Sequence, residues 1–288
     1  MSSHNTTTNA AMQPTILSME VDDDDSCESE YRVRIGNQVK YLVIAPGTFD
    51  RDTLSFPLQS VTHLPYDAEE WTVAHISRDT TSGALKTSLS NRALAGVKCQ
   101  WHHTSVDFLD LEKTRQLTAM VFEAGVSPHL IALPSSSSSS SSPTITTVIA
   151  KIARFEWELP RIEQETRVYQ LLDGHPGLAP RFLAHVHEGG RTVGFLLEKI
   201  IEGRPASAQD LRACETALGN LHKLGIVHGD VNRYNFLVTE KEGVKLLDFE
   251  RSRENASLEE MSREMESLRA ELVDDSGRGG GFMFHDDT

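Results

Sequence analysis

Apolar and polar positions alternate with a period of two in the first part of the chain and follow a helical period in much of the second. Tyr31-Arg32-Val33-Arg34-Ile35 alternates, Gly36-Asn37 signals a turn, and Val39–Ile44 continues as a second strand. Trp71–Ser77 and Ala95–Trp101 read as further strands. Strands are also predicted at Thr118–Glu123 or His129–Leu133, and at Thr146–Ile152, on either side of the unbroken run Ser135–Ser142. A serine run cannot pack a core, so it predicts an exposed hairpin tip or, as the alternative, a linker. Trp157–Leu172 reads as a helix, with Leu159, Ile162, Tyr169 and Leu172 on one face and Asp173–Gly177 ending it. Arg181–Val186 and Thr192–Lys199 are strand candidates joined by Glu188-Gly189-Gly190. Ser207 is a candidate N-cap for a helix whose stripe is Leu211, Cys214, Leu218 and Leu221, stopped by Gly225. Phe236–Val238 and Val244–Leu247 are short apolar runs around a Glu240–Gly243 turn. The capping box Ser257-Leu258-Glu259-Glu260 opens a last helix carrying Leu258, Met261, Met265, Leu268 and Leu272.

These patterns predict four stretches. Residues 1–30, rich in Thr, Ser and Asp, read as a disordered acidic tail. Residues 31–110 read as a β-rich N-terminal extension without a catalytic constellation. Residues 111–275 form the main domain, interrupted by the Ser-rich loop 134–144, and residues 276–288 are a loose tail.

Composition narrows the functional classes. Of 288 residues, 39% are hydrophobic, which is enough for a core. The formal charge of −14, from 28 basic and 42 acidic residues, argues against a nucleic-acid or membrane-surface binder, since both need a cationic face. Cys27, Cys99 and Cys214 are far apart and lack CxxC spacing, so they predict free thiols rather than a disulfide framework or zinc site. No secretory leader or membrane-spanning stretch is visible, and the expected location is cytoplasmic or nuclear.

The chemistry concentrates between His228 and Glu250. Phosphoryl transfer needs a carboxylate to orient an acceptor hydroxyl and hard oxygen ligands to hold magnesium. Asp230 can supply the first; Asn235, on the same loop, and Asp248, one hairpin later, can supply the second. His228, Asp230 and Asn235 match the H-x-D-x-x-x-x-N motif of the protein-kinase-like superfamily, and Asp248-Phe249 matches its D-F-G, with Glu250 in place of glycine. This region resembles that superfamily. Val148-Ile149-Ala150-Lys151 is similar to its V-A-I-K strand, whose Lys holds the nucleotide phosphates. The resemblance then calls for a Glu partner on the next helix. Glu165 lies on the stripe with Ile162 and Tyr169; Glu163 is rotated off it and is the weaker candidate. Glu198-Lys199-Ile200, at a strand end, would be the hinge that binds adenine through its backbone.

Three departures stand out. No Gly-rich loop precedes Lys151; the corresponding strands near Lys113–Gly125 carry Thr, Gln, Ala and Met. Asn232 occupies the position where Ser/Thr protein kinases carry Lys. About 38 residues follow Glu250, without an A-P-E motif. Together with His-Gly-Asp and Asp-Phe-Glu, these features look nearer to atypical, fungal-type or aminoglycoside- and choline-kinase-like enzymes. The resemblance implies an α+β, protein-kinase-like bilobal fold with a minimal C-lobe. It implies ATP and magnesium as cofactors, and a protein or small-molecule hydroxyl as acceptor. The competing readings are a pseudokinase with little turnover, favoured by the missing glycines, and an interaction protein using the acidic surface and last helix. Taken singly, each motif residue reads as a turn or surface residue, Trp101-His102-His103 as an ordinary strand end, and Met261/Met265 as packing.

Overall fold

A computed structural model of the chain describes residues 13–22, 24, 26–57, 64–66, 68, 70–131 and 145–280. The serine run, Leu133, and residues 281–288 lie outside the described residues. The chain is of mixed α and β structure and divides into two compact units, Met1–Ala95 and Gly96–Thr288.

The first unit is a five-stranded sheet in the order β1-β2-β3-β4-β5. Its strands are β1 (Thr15–Glu20), β2 (Ser29–Ile35), β3 (Gln38–Ile44), β4 (Val73–Arg78) and β5 (Leu85–Ser90), with a short helix α1 (Arg51–Ser55). Neighbours are antiparallel except β3 and β4, which are parallel. The alternation in β2 buries Tyr31, Val33 and Ile35 against Leu42, Ile44, Trp71 and Ile76. Lys40 shares that face, opposite Val33. Its ammonium tolerates burial by donating to the carbonyls of Ala68 (2.5 Å) and Trp71 (2.9 Å), 4.4 Å above the Trp71 ring.

Two expectations for this region change. Thr15–Glu20 is a strand, not part of a disordered tail, because it pairs with β2 along Arg34–Glu30. Ala95–Trp101 is not a strand: it is extended but pairs with none, and Val97 is drawn into the core of the second unit. The divide accordingly falls at Gly96, ahead of the expected boundary at residue 110.

The second unit holds a six-stranded sheet in the order β6-β10-β11-β9-β8-β7. These strands are β6 (Ser105–Asp107), β7 (Glu112–Gln116), β8 (Val121–Val126), β9 (Thr146–Ile152), β10 (Phe182–Glu188) and β11 (Arg191–Glu198). All neighbours are antiparallel except β6 and β10. β8 and β9 pair as a hairpin; Pro128–Leu130 is a 3-10 turn, so the described part of the His129–Leu133 candidate, His129–Ile131, forms no strand, and the rest lies outside the described residues. Helix α2 (Leu159–Leu172) packs on β11 with Leu159, Ile162, Val168, Tyr169 and Leu172 buried. A second sheet of β12 (Arg204–Pro205), β13 (Phe236–Thr239) and β14 (Gly243–Leu246) lies with α3 (Leu211–Lys223) and α4 (Leu258–Val273).

Ser257 caps α4 through a capping box with Glu260, as its sequence implies. Leu258, expected on the buried stripe, is 86% exposed, because it is the first helical residue, whereas Met265, Leu268 and Leu272 of the stripe meet the core. Likewise Trp157 precedes α2 in a 3-10 turn and stays half exposed. Among the described residues no helix is long and apolar enough to cross a membrane.

β9 and β11 must approach closely for the Lys151 strand to seat. At Gly194, a Cβ would overlap the Lys151 carbonyl oxygen and lie 2.8 Å from the Ile152 Cα. Gly194→Ala is expected to cost about 1–3 kcal/mol, as overpacking against backbone does. Urea unfolding midpoints would read this loss, and an unchanged midpoint would show that the strands can part without penalty.

Candidate active site

Lys151 is the penultimate residue of β9 and is 7% exposed. A buried ammonium needs partners, and it has three carboxylates. Its Nζ donates to Glu165 Oε2 at 2.6 Å and to Asp248 Oδ1 at 2.6 Å, and lies 3.6 Å from Glu250 Oε2. Glu165 is one of the apolar stripe positions of α2, so the helix delivers it inward; Glu163 points elsewhere, to the backbone of Lys98 and Cys99. Asp248 arrives from the end of the β14 strand and is held at φ 62°, a left-handed conformation uncommon for a non-glycine residue. The next residue locks it: Phe249 is fully buried, edge-on to Tyr169 at 5.5 Å and 5.4 Å from the His228 ring.

Three anions around one cation leave a surplus of negative charge. Burial works against the charge of Lys151, but Glu165, Asp248 and Glu250 outweigh it and hold its pKa above the ordinary ammonium range. Glu165 is pushed up to about 7, first by burial, with the charge of Asp248 adding to it and Lys151 opposing. Burial raises Asp248 too, but there the Lys151 contact wins and its pKa falls below the usual carboxylate value. The side chain of Asp248 is 37% exposed while that of Glu165 is 2% exposed, so Asp248 is the open side of the cluster.

The loop from His228 to Asn235 follows α3 and is built from the backbone. Gly229 has φ 79°, and a Cβ there would overlap the carbonyl of Arg251, so only glycine fits. His228 is fully buried; its Nε2–H donates to the Leu247 carbonyl at 2.9 Å, and burial lowers its pKa, keeping the ring neutral. Ser252 Oγ donates to the His228 carbonyl at 2.8 Å. Asn232 turns inward and is 2% exposed: its Oδ1 accepts the Tyr234 N–H and its Nδ2 donates to the Asp230 carbonyl. Asn235 Nδ2 donates to the same carbonyl at 2.8 Å. The two amides thus brace the backbone of Asp230, whose own side chain stays partly exposed.

Glu198 ends β11. Its N–H donates to the Arg181 carbonyl at 2.9 Å, and its carboxylate lies 3.9 Å from Arg181 Nε. Ile200 follows in coil, half-buried, and Lys199 reaches back to Glu123 of β8 at 2.8 Å. The turn between β7 and β8, where the resemblance places a glycine-rich loop, is Leu117–Met120. The Gln116 side-chain amide fills it, donating to the carbonyls of Thr118 and Val121. His102 and His103 stack at 4.6 Å, and the His102 N–H donates to His185 Nε2 at 3.2 Å.

Two residues of the site went unread in the sequence. Glu250 stands where the family motif carries glycine, and the motif alone does not show that its carboxylate lies near Lys151. Glu264 of α4 accepts the backbone N–H of His228 at 2.9 Å and of Gly229 at 2.6 Å, and contacts the His222 ring at 2.7 Å. The signal for Glu264 was available: it lies three residues after Met261 and four before Leu268, on the apolar stripe of α4, the kind of position that Glu165 holds on α2. Burial opposes the charge of Glu264, but the contacts with His222, Gly229 and His228 outweigh it and lower its pKa. Since the folded value lies below the unfolded one, this contribution is present above pH 4.5 and is lost as pH falls through the folded pKa. Glu264→Gln is expected to cost about 1.5–3 kcal/mol at pH 7, the scale of hydrogen bonds to a charged group. The difference from wild type should shrink on acidification in urea titrations; a constant difference would show that the charge is not what matters.

No curated protein matches the chain. Residues 202–275, which span β12, α3, the His228–Asn235 loop, Asp248 and α4, match the model of the Lipopolysaccharide kinase (Kdo/WaaP) family. Lys151 and Glu165 lie outside that stretch and come to the same site through the fold. That family is part of the protein-kinase-like superfamily, and the chain carries a kinase-like domain.

Proposed function

We propose that the chain is an ATP-dependent kinase that transfers a phosphoryl group to a hydroxyl of a protein or small-molecule acceptor, on a bilobal kinase-like fold in the second unit. The observation that carries this reading is the convergence of Lys151, Glu165 and Asp248 at 2.6 Å contacts beside the Asp230–Asn235 loop. The match of residues 202–275 to a lipopolysaccharide kinase family supports a phosphotransferase.

The residues fit magnesium and nucleotide. Three carboxylates on one ammonium leave negative charge for a cation to balance, and magnesium takes one or two protein oxygens alongside phosphates. Asp248 and Asn235 would hold it. The Asn235 nitrogen is spent on the Asp230 carbonyl, so its amide oxygen is the atom left for a metal. Lys151 would hold phosphate oxygens while Glu165 keeps its ammonium in place. The backbone of Glu198 and Ile200 would take the adenine. Bound Mg-ATP supplies an electrophilic phosphoryl group whose charge the cation helps to neutralise. Asp230 would accept a hydrogen bond from the acceptor hydroxyl, orient it and take its proton.

One observation favours a second reading, a pseudokinase. The Gln116 amide closes the Leu117–Met120 turn, and that turn has no glycine to let its backbone approach phosphates.

Calorimetry should detect Mg-ATP binding that is lost in Asp248→Ala. Phosphoryl transfer should fall on the order of 10²–10⁴-fold in Asp230→Ala, the usual contribution of a positioned base. Magnesium-dependent binding with no transfer to any hydroxyl acceptor, or to water, would favour the pseudokinase. No binding at millimolar nucleotide by the folded protein would sink both.

Lys151→Met leaves Glu165 buried without its cation and is expected to cost about 3–5 kcal/mol. Lys151→Met with Glu165→Leu should recover most of that stability without recovering nucleotide binding. Recovery of both would show that Lys151 holds the fold and not a phosphate.

A further inference from the structure

Three consecutive residues of α2 reach three different segments. Glu165 binds Lys151, Gln164 Nε2 donates to the Ser252 carbonyl at 2.7 Å, and Glu163 faces the opposite way. Glu163 and Glu165 are two residues apart, about 200° around the helix. Glu163 Oε2 accepts the backbone N–H of Lys98 at 2.5 Å and of Cys99 at 3.3 Å. One turn pair further along, the Cys99 thiol donates to Gln170 Oε1 at 3.4 Å.

Residues 96–104 therefore cross the outer side of α2, and both ends of this strap are fastened to the sheet on which α2 packs. At the first end, Val97 N–H donates to the Thr192 carbonyl of β11 at 2.8 Å, and Val97 is buried in one cluster with Ile162 and Tyr169. Gly96 is required there, since a Cβ would sit 2.9 Å from that same carbonyl oxygen. At the second end, Trp101 packs 4.8 Å from Phe182, and the His185 N–H of β10 donates to the Thr104 carbonyl at 3.0 Å. A helix held between a sheet and a strap pinned to that sheet cannot roll without breaking one side.

We propose that Glu163 is a positioning residue: by holding the Lys98 and Cys99 amides it fixes the rotation of α2 and so keeps Glu165 on Lys151. A charged acceptor on two backbone donors is a strong tether, and Glu163 is its anchor on the helix. What this does for phosphoryl transfer rests on the proposed function; the clamp itself does not.

The test reads Lys151 directly. Each folded variant is treated with a small acylating reagent, and the labelling rate of every lysine is measured by mass spectrometry. Hydrogen exchange of the Lys98, Cys99 and α2 amides is followed alongside. Lys151 should be slow in wild type, and loss of a charge-assisted contact should speed it about tenfold in Glu165→Ala and in Glu163→Ala, and about threefold in Glu163→Gln. Arg161→Ala, exposed on the same helix, should leave it unchanged. The proposal is overturned if Glu163→Ala speeds exchange at Lys98 and Cys99 but not labelling of Lys151. A parallel rise at Lys245, buried on β14, overturns it as well, because that reports general loosening. If Glu163→Ala does not fold, Glu163→Gln is read by the same criteria. Mg-ATP titration separates the two readings: the expected labelling pattern in a protein that binds no nucleotide supports the clamp and removes the kinase.

Discussion

A lysine buried at 7% exposure is the constraint around which the second unit is arranged. Isolated, that ammonium would lose its proton or pull water into the sheet. It stays charged because carboxylates from two distant parts of the chain reach it, one from α2 and one from the segment after β14. Neither arrives by itself. Glu165 needs α2 seated on β11 by Ile162 and Tyr169, and Asp248 needs Phe249 driven into the core behind it. The ion cluster is thus formed only when the six-stranded sheet, α2 and the β13–β14 hairpin are all in place. Its members also oppose one another: the negative charges that hold Lys151 protonated disfavour ionisation of Glu165. A cluster with that imbalance is suited to exchange contacts when a cation or phosphate enters.

The loop that carries Asp230 is fixed by different means. Almost every contact that shapes it is made by backbone groups: the His228 and Gly229 amides on Glu264, and the Asp230 carbonyl on Asn232 and Asn235. Side chains named in the motif therefore serve as scaffolding as much as chemistry. Asn232 shows this well. The resemblance puts a lysine at that position in Ser/Thr protein kinases, and here an asparagine folds inward and completes the brace.

Legibility in the sequence followed burial. The stripe of α2 and the strands at Tyr31–Ile35, Val39–Ile44 and Thr146–Ile152 were readable because one face is core and the period is clean. Glu165 was readable by the same logic, as a carboxylate on an apolar stripe. β1 and β5 were not: they are edge strands whose side chains are largely exposed, so no burial pattern marks them. Ala95–Trp101 misled for the opposite reason. Val97 is buried and Cys99 and Trp101 half-buried because this segment straps α2, so it carries the alternation of a strand without forming a ladder. Glu264 is legible only as a carboxylate on the apolar stripe of α4; its partners, two backbone amides and the His222 ring, are not, since an amide leaves no trace in residue identity. Lys40 inverts the rule, being a cation on a core face, where the carbonyls of Ala68 and Trp71 receive it.

The β7–β8 turn bears most on how such a site could work. A glycine-rich loop serves phosphate binding by presenting unspent N–H groups. Here the N–H groups of Leu117 and Thr118 are spent on the Val121 carbonyl, and the Gln116 amide occupies the carbonyls of the turn. The first two N–H groups of the turn are thus satisfied internally and have little to offer a phosphate without first being released. Grip on a nucleotide would then fall to Lys151 and to whatever cation Asp248 and Asn235 hold. In an ordinary kinase-like site the lid and the metal share the charge of the phosphates. With a closed turn that share would shift to the metal, and Glu250, at 3.6 Å from Lys151, is a third carboxylate in the cluster. On the proposed reading, the Glu after Asp248-Phe249 and the missing glycines near Lys113–Gly125 would belong together, with a cation in place of backbone amides as the main hold on phosphate.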